Sequence, residues 1–289
     1  MARRPPENEY GKRLQTDEGL LEGARGNDGG MRRFRRSPRL FVPREEWRGD
    51  VVPVRGEDMR YLIRVLRLGA GDGVTVLDGQ GRVFSAVINN VTNEAVFLAL
   101  AEEITPDTEP GVRVALFQAV PKGDKMDLVV QKATELGAYR IVPVITERVV
   151  ARPDVKKAVR RRDRWQRIAR EASRQCGRSM VPAVETMLSL QAALELHHST
   201  SFLGIMPWEG EEELSLRGFL EGILCAPTSE RGNGISVFIG PEGGFSLSEV
   251  DAARACGVVT VSLGKRILRT ETAGMITLAL ILHAFGELG

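Results

Sequence analysis

Hydrophobic and polar positions divide the chain into three parts with different patterns. Residues 1–36 are rich in Arg, Glu, Gly, Asn and Pro and lack periodic apolar positions. Such a segment cannot bury enough surface to offset the entropy lost on ordering. We therefore predict a disordered basic tail over residues 1–36.

Residues 37–106 contain short β-type apolar runs separated by turn residues. The predicted strands include 74–77, 82–88 and 96–100. Two of them flank Asp78–Gly81, whose glycines permit the positive φ values of a hairpin turn. One helix is predicted at Glu57–Leu68, and the polar segment Pro106–Gly111 is typical of a linker. This pattern predicts a small β-barrel or sandwich.

Residues 111–289 alternate between strand-like and helix-like patterns. The predicted strands are 112–120, 140–145, 201–206, 235–240 and 258–263. The predicted helices are 124–136, 153–177, 190–197, 246–256 and 270–285. Alternation of this kind indicates a mostly parallel sheet covered by helices on both faces. The sequence thus predicts an α/β protein with a smaller N-terminal β domain.

Composition narrows the class of protein further. The chain of 289 residues has 43% hydrophobic residues, 27% charged residues and a net charge of +2. This balance excludes a uniformly basic protein that coats nucleic acid. The three cysteines lie far apart, so neither a disulfide framework nor a zinc site is expected, and we predict no metal. Apolar runs of membrane-spanning length and a secretory signal are both missing, so we predict a cytoplasmic location with no membrane partner.

Two glycine-containing segments follow predicted strands and are candidates for ligand binding. The segment ISVFIGPEGG spans 235–244, and LGKRILRTETA spans 263–273. Ligands of α/β sheets bind at the carboxyl ends of strands, where glycines allow close approach to the backbone. A tight turn and a salt-bridged helix start are the simpler alternatives for the two segments.

The two segments, together with several others, resemble one known family. The further motifs are QAVPKGDKMDLVVQKATELG, PVITERVV, AREASRQCGR, RVLRLGAGD and SPRLFVP. In this order they resemble the 16S ribosomal RNA uridine-N3 methyltransferases, a branch of the trefoil-knotted SPOUT methyltransferases. The resemblance covers about residue 37 to the end. It implies a PUA-like β domain over 37–106 that binds RNA and a knotted α/β domain over 111–289.

The resemblance also implies a cofactor, partners and site residues. The cofactor is S-adenosylmethionine, the substrate is ribosomal RNA or the assembled small subunit, and the protein is a homodimer. Adenine is expected at main-chain groups of the 263–268 segment, and the methionine end near 240–244. The expected cofactor-binding residues are Leu203, Ile239, Gly240, Glu242, Gly243, Gly244, Leu263, Gly264, Ile267, Leu268 and Thr272.

Arg269 and Glu271 are the candidate catalytic residues. A fixed cation at Arg269 favours the uracil anion that develops during methylation, and Glu271 can accept the N3 proton. Compensation of the helix dipole is the alternative role for Glu271. At Tyr61 the family usually has histidine, so no role of that histidine is carried over.

Basic residues on the predicted helix 153–177 form one stripe at helical spacing, for which a solvated basic face is the alternative. A second basic cluster spans Arg32–Arg39. The expected RNA-binding residues are Arg39, Arg164, Arg167, Arg174, Gln175 and Arg178. Arginine forks suit phosphate groups, and the release of counterions from RNA adds affinity.

Three other functions stay open. A non-enzymatic RNA-binding module leaves the two glycine-containing segments without a purpose. A nucleotide-dependent α/β enzyme lacks the expected phosphate-binding motifs. The third alternative keeps the fold but transfers the methyl group to a ribose hydroxyl or to transfer RNA.

Overall fold

The computed structural model describes residues 37–105, 108–148, 154–227 and 232–289. The predicted tail 1–36 therefore lies outside the described residues. Contacts divide the chain into two compact units. Among its described residues, the first unit holds 37–40, 47–75 and 84–102, and the second holds 41–46, 76–83 and 103–289. Among the helices of the described ranges, none combines the length and apolar character needed to cross a membrane.

A five-stranded sheet belongs mainly to the first unit. Its strands, in the order β1-β3-β4-β5-β2, are β1 (Arg39–Phe41), β2 (Val51–Val54), β3 (Gly73–Leu77), β4 (Val83–Val91) and β5 (Val96–Ile104). Gly79 and Gly81 have φ values of 78° and 111°, as the predicted turn between β3 and β4 requires. Helix α1 (Gly56–Arg60) continues as a π-helical turn over Tyr61–Val65, which buries Leu62.

A seven-stranded sheet forms the core of the second unit. Its strands are β6 (Val114–Ala119), β7 (Arg140–Ile145), β8 (Ala183–Val184), β9 (Leu188–Ser189), β10 (Leu203–Pro207), β11 (Ile235–Ile239) and β12 (Val258–Val261). Six follow the order β12-β10-β11-β6-β7-β8, and β9 pairs with β7. All the pairings in this sheet are parallel. Its central strands β6 and β11 are buried along their whole length, which explains their continuous apolar sequences.

Helices connect these strands and cover the sheet. They are α2 (Lys125–Glu135), α3 (Val155–Cys176), α4 (Leu190–His198), α5 (Leu216–Cys225), α6 (Leu247–Ala255) and α7 (Thr270–Ala284). Two separate apolar clusters include buried residues of β6 and β11 and pack against different helices. The prediction of an α/β fold with a mostly parallel, helix-covered sheet and a small β domain is confirmed.

His197 is a buried polar residue at the end of α4. Its Nδ1 lies 3.0 Å from Ser236 Oγ, and its ring lies edge-on against Phe238. Burial, with a smaller contribution from His198, lowers the pKa of His197 below its ordinary value. The residue therefore belongs to the packing between α4 and the sheet.

Candidate cofactor and RNA site

The carboxyl ends of four neighbouring parallel strands define one edge of the large sheet. Ile239 of β11 pairs with Gln118 of β6, and Pro207 of β10 pairs with Val261 of β12. The loops that follow these strands therefore emerge at the same edge. In parallel α/β sheets this edge is where ligands bind.

The loop after β11 and the segment after β12 meet at this edge. Thr270 Oγ1, in the first turn of α7, donates a 2.6 Å hydrogen bond to the main-chain oxygen of Gly240. The two segments are thus joined by a direct bond across 30 positions of the chain. The bond brings the end of the segment 263–273 beside the start of the loop 240–244.

Two glycines of the loop after β11 occupy positions that favour a residue without a side chain. Gly244 has φ of 67°, and a Cβ built there would lie 2.5 Å from a carboxylate oxygen of Glu209. A Cβ at Gly240 would lie 3.1 Å from the Phe245 ring. The main chain of this loop is therefore approachable by a ligand where side chains are excluded.

The loop after β12 presents its backbone in a similar way. Gly264 has φ of 102°, and the Ile267 side chain is 90% exposed. Within the described ranges, the main-chain groups of Ile267 and Leu268 form no hydrogen bonds. Free main-chain donors and acceptors beside exposed apolar surface suit a flat heteroaromatic group. The residues present therefore fit the adenosyl group that the resemblance implies.

Charged side chains cluster beside the loop after β11, residues 240–244, which we call the glycine-rich loop. Glu242 Oε1 accepts a hydrogen bond from the main-chain N–H of Lys122 and lies 3.3 Å from Lys125 Nζ. Burial alone raises the pKa of Glu242, but main-chain hydrogen bonds and Lys125 outweigh burial and lower the pKa below its ordinary value. Lys125 Nζ also lies 3.4 Å from Glu271 Oε2.

The two candidate catalytic residues have different surroundings. The Glu271 side chain is only 12% exposed, and its Oε2 has no hydrogen-bond partner among the described residues besides the ion pair with Lys125. Arg269 precedes α7 as its N-cap residue and is exposed. Thr272 follows in the first turn of α7. The structure thus brings Arg269, Glu271 and Thr272 to the edge occupied by the glycine-rich loop.

Leu203 is the exception among the predicted cofactor-binding residues. It begins β10 and pairs with Ile235, the first residue of β11. It therefore lies at the opposite end of the strands from Gly240, which follows the last residue of β11. The contact of Leu203 with the cofactor stays a prediction, because the residue of β10 at the carboxyl edge is Pro207.

The loop that follows Pro207 is held in place by Glu211. Its Oε2 accepts a 2.5 Å hydrogen bond from Thr260 Oγ1, and its Oε1 accepts from the N–H groups of Glu213 and Leu214. These bonds lower the pKa of Glu211, and the bond from Thr260 contributes most to this shift. This loop completes the carboxyl edge in place of the segment around Leu203.

Two residues of the segment after β7 also contact the glycine-rich loop and its helix. Arg148 Nη1 donates a 2.6 Å hydrogen bond to the main-chain oxygen of Gly243. Glu249, the third residue of α6, accepts from the N–H groups of Ser246 and Glu147. Sequence reasoning did not assign Arg148, Lys122 or Lys125, although they lie in the recognised motifs PVITERVV and QAVPKGDKMD.

Helix α3 carries most of the predicted RNA-binding side chains. Arg164, Arg167 and Gln175 are exposed, and Arg174 is 19% exposed beside Glu171. Arg164 also forms an ion pair with Asp127 of α2. Arg39 in β1 is partly exposed, while the cluster Arg32–Arg36 lies outside the described residues. The exposed arginines of α3 thus remain available to a polyanion.

Arg178 is the exception among the predicted RNA-binding residues. Helix α3 ends at Cys176, and Gly177 has φ of 86°, so Arg178 leaves the basic stripe. Its side chain is 5% exposed and donates to Glu109 Oε2 from both Nε and Nη2. Its Nη1 donates to the main-chain oxygens of Thr134 and Ala138. These four bonds give the Arg178 guanidinium a structural role, which argues against the predicted contact with RNA.

The fold defines a class of α/β protein with glycine-containing loops at the carboxyl ends of neighbouring parallel strands. Residues 108–282 match the family model described as RNA methyltransferase domain, and residues 54–100 match the one described as RNA methyltransferase PUA domain. The chain belongs to this RNA methyltransferase family.

Characterised relatives and solved structures agree with this assignment. The chain is 31% identical over 228 residues to "Ribosomal RNA small subunit methyltransferase E" of Bacillus subtilis, covering 79% of this chain and 88% of that protein. It is 35% identical over 243 residues to the protein of the same name from Synechocystis sp. This match covers 84% of this chain and 76% of that protein. The Neisseria gonorrhoeae protein of this name, solved with S-adenosyl methionine, is 32% identical with a TM-score of 0.73, covering 86% and 97%. A putative methyltransferase from Legionella pneumophila, solved with bound cofactor SAM, is 29% identical with a TM-score of 0.72, covering 86% and 98%.

Proposed function

We propose that this protein transfers a methyl group from S-adenosylmethionine to N3 of a specific uridine in 16S ribosomal RNA. The observation that carries the proposal is the hydrogen bond between Thr270 and Gly240, which joins the two loops that suit the cofactor. The relatives named as small-subunit ribosomal RNA methyltransferases supply the substrate class. The location that goes with this proposal is the cytoplasm.

The cofactor is held by main-chain groups of the two loops. The residues that would hold it are Ile239, Gly240, Glu242, Gly243, Gly244, Leu263, Gly264, Ile267, Leu268 and Thr272. When bound, S-adenosylmethionine supplies an electrophilic methyl group. The free main-chain groups of Ile267 and Leu268 would bind the edge of the adenine ring. The glycine-rich loop at 240–244 would bind the methionine end of the cofactor.

The protein's own chemistry concerns the proton and the charge of the uracil. N3 carries a proton at neutral pH and is normally engaged in base pairing, so the base must be unpaired or extruded. Arg269 stabilises the negative charge that develops on the ring, and Glu271 accepts the N3 proton. Lys125 partly neutralises Glu242 and Glu271 and holds both carboxylates in place.

RNA binds along the exposed arginines of α3, with the β domain over 37–106 and Arg39 as a second contact region. We expect Arg167→Ala to weaken RNA binding about uniformly across sequences and to reduce the salt slope of binding by about one ion. Arg217→Ala is the matched control, since Arg217 is an exposed arginine of α5 paired with Glu221. Filter binding at several salt concentrations measures both effects. Equal losses of RNA affinity in Arg167→Ala and Arg217→Ala would show that α3 is not part of the RNA-binding surface.

The protein acts as a homodimer in this proposal. Helix α7 is apolar around most of its circumference, and its Ile276 and Leu280 are 41% and 45% exposed. A helix of this composition requires cover, which a second copy can provide. Sedimentation equilibrium checks this, and a monomer mass at micromolar concentration would contradict it.

The function is tested with unmethylated small ribosomal subunits, naked 16S RNA and transfer RNA as separate substrates. The protein and labelled S-adenosylmethionine are added, and reverse-transcriptase stops are mapped. A methyl group on uracil N3 blocks base pairing, so a strong stop at one uridine is expected. Label in the RNA without a strong stop would indicate ribose methylation, and label only in transfer RNA would move the substrate. No transfer to any RNA would leave the non-catalytic RNA-binding alternative.

A further inference from the structure

Gln118 is a fully buried polar residue beneath the carboxyl edge of the sheet, on strand β6. Its Nε2 donates to Thr270 Oγ1 at 2.8 Å and to the main-chain oxygen of Ala119 at 3.1 Å. Thr270 Oγ1 in turn donates to the main-chain oxygen of Gly240 at 2.6 Å. One chain of hydrogen bonds therefore links β6, the start of α7 and the glycine-rich loop after β11.

The direction of this chain is fixed by its chemistry. The oxygen of Gly240 can only accept, so the single hydroxyl proton of Thr270 is committed to it. Thr270 must then accept from Gln118, which must present its amide nitrogen and not its oxygen. A carboxylate at position 118 could not take this place, because it has no proton to donate.

The amide oxygen of Gln118 carries a cost that packing alone does not explain. It is buried without a hydrogen-bond partner among the described residues. It also lies 2.9 Å from the position that a Cβ on Gly274 of α7 would occupy. A buried acceptor left unpaired costs folding free energy, and the amide takes this orientation because Thr270 Oγ1 requires a donor.

We propose that Gln118 and Thr270 are positioning residues that hold the two cofactor loops at a fixed separation. This inference rests on the proposed function and adds to it the device that preorganises the pocket. Gly240 begins the glycine-rich loop, and Thr270 directly follows Arg269 of the other loop. This chain of hydrogen bonds, the relay, therefore fixes both cofactor loops through the single hydroxyl group of Thr270. Its loss lets the loops separate, which weakens cofactor binding without removing any group that touches the cofactor.

Three single variants test the hydroxyl of Thr270. Thr270→Val keeps the shape and removes the hydroxyl, whereas Thr270→Ser keeps the hydroxyl. Thr277→Val is the matched control, because Thr277 is equally buried in α7 and its hydroxyl returns to Ala273 of the same helix. We expect S-adenosylmethionine affinity by calorimetry to fall about tenfold for Thr270→Val and to change less than about threefold for the other two. Thermal melting shows whether Thr270→Val and Thr277→Val lose similar stability.

A double-mutant cycle separates a relay from independent packing effects. Gln118→Met removes the other end of the chain with little change of volume. If both residues act through one relay, Gln118→Met/Thr270→Val binds S-adenosylmethionine about as weakly as the weaker single variant. Multiplicative losses overturn the proposal, as does an equal loss of affinity in Thr277→Val or unchanged affinity in Thr270→Val. Calorimetry of the unaltered protein is done first. If that protein does not bind S-adenosylmethionine, the proposed function fails together with the relay; if it binds and the variants do not behave as expected, only the relay fails.

Discussion

Replacing Arg269 with alanine is expected to lower the methyl-transfer rate about 100- to 1000-fold, with the S-adenosylmethionine dissociation constant changed less than about threefold. Arg269 lies at the N-terminus of α7, where the helix dipole adds to its positive field. Within the described ranges no carboxylate lies at ion-pair distance from it, since Glu271 pairs with Lys125. Its charge is therefore available to the uracil anion.

Single-turnover methylation at saturating cofactor, together with calorimetry, measures the two quantities separately. Arg266→Ala is the matched control, because Arg266 is an exposed arginine of the same loop. We expect it to affect RNA binding and to spare the rate at saturating RNA. Arg269→Lys should recover part of the rate, since it keeps the charge. Equal losses of rate and cofactor affinity in Arg269→Ala would assign Arg269 to cofactor binding.

The sequence predicted the large sheet well because its central strands are buried on both faces. Continuous apolar runs such as Ile235–Ile239 are the expected signature of such strands, and the glycines that follow mark their carboxyl ends. Short elements were missed where this signal is weak. Strands β8 and β9 have two residues each. Helix α5 is a short apolar helix between polar stretches, so its helical periodicity is hard to detect in the sequence.

Two predicted site residues lie in other surroundings than the sequence indicated. The stripe on α3 was extended at helical spacing to Arg178, but Gly177 takes a left-handed conformation and turns the chain away. Leu203 was assigned to a strand end, yet the parallel register places it at the start of β10.

The residues that sequence reasoning missed are linked by contacts of long range. Lys122 reaches Glu242 across 120 positions, and Gln118 reaches Thr270 across 152. No periodicity along the chain reports such pairs. Gly274 illustrates the same point, because glycine is unfavourable in a helix interior and a Cβ there would lie 2.9 Å from Gln118 Oε1.

Replacing Arg178 with alanine is expected to destabilise the protein by about 3 kcal/mol, because one partner of a buried ion pair is removed. Glu109 would keep its hydrogen bonds from Ser179 and Met180 but would lose the charge that balances it. The main-chain oxygens at the end of α2 would lose their donor as well. At roughly 2–4 °C per kcal/mol, the melting temperature should fall by about 6–12 °C.

Calorimetric melting and RNA binding below the transition distinguish this structural role from the RNA contact first predicted. Arg164→Ala is the matched control, since its ion pair with Asp127 is exposed and should contribute less than about 1 kcal/mol. Arg178→Lys should recover little stability, because an ammonium cannot bond Glu109 and two carbonyl oxygens as the guanidinium fork does. Folded Arg178→Ala should bind RNA as the unaltered protein does, whereas an unchanged melting temperature with weakened RNA binding would return Arg178 to the interface.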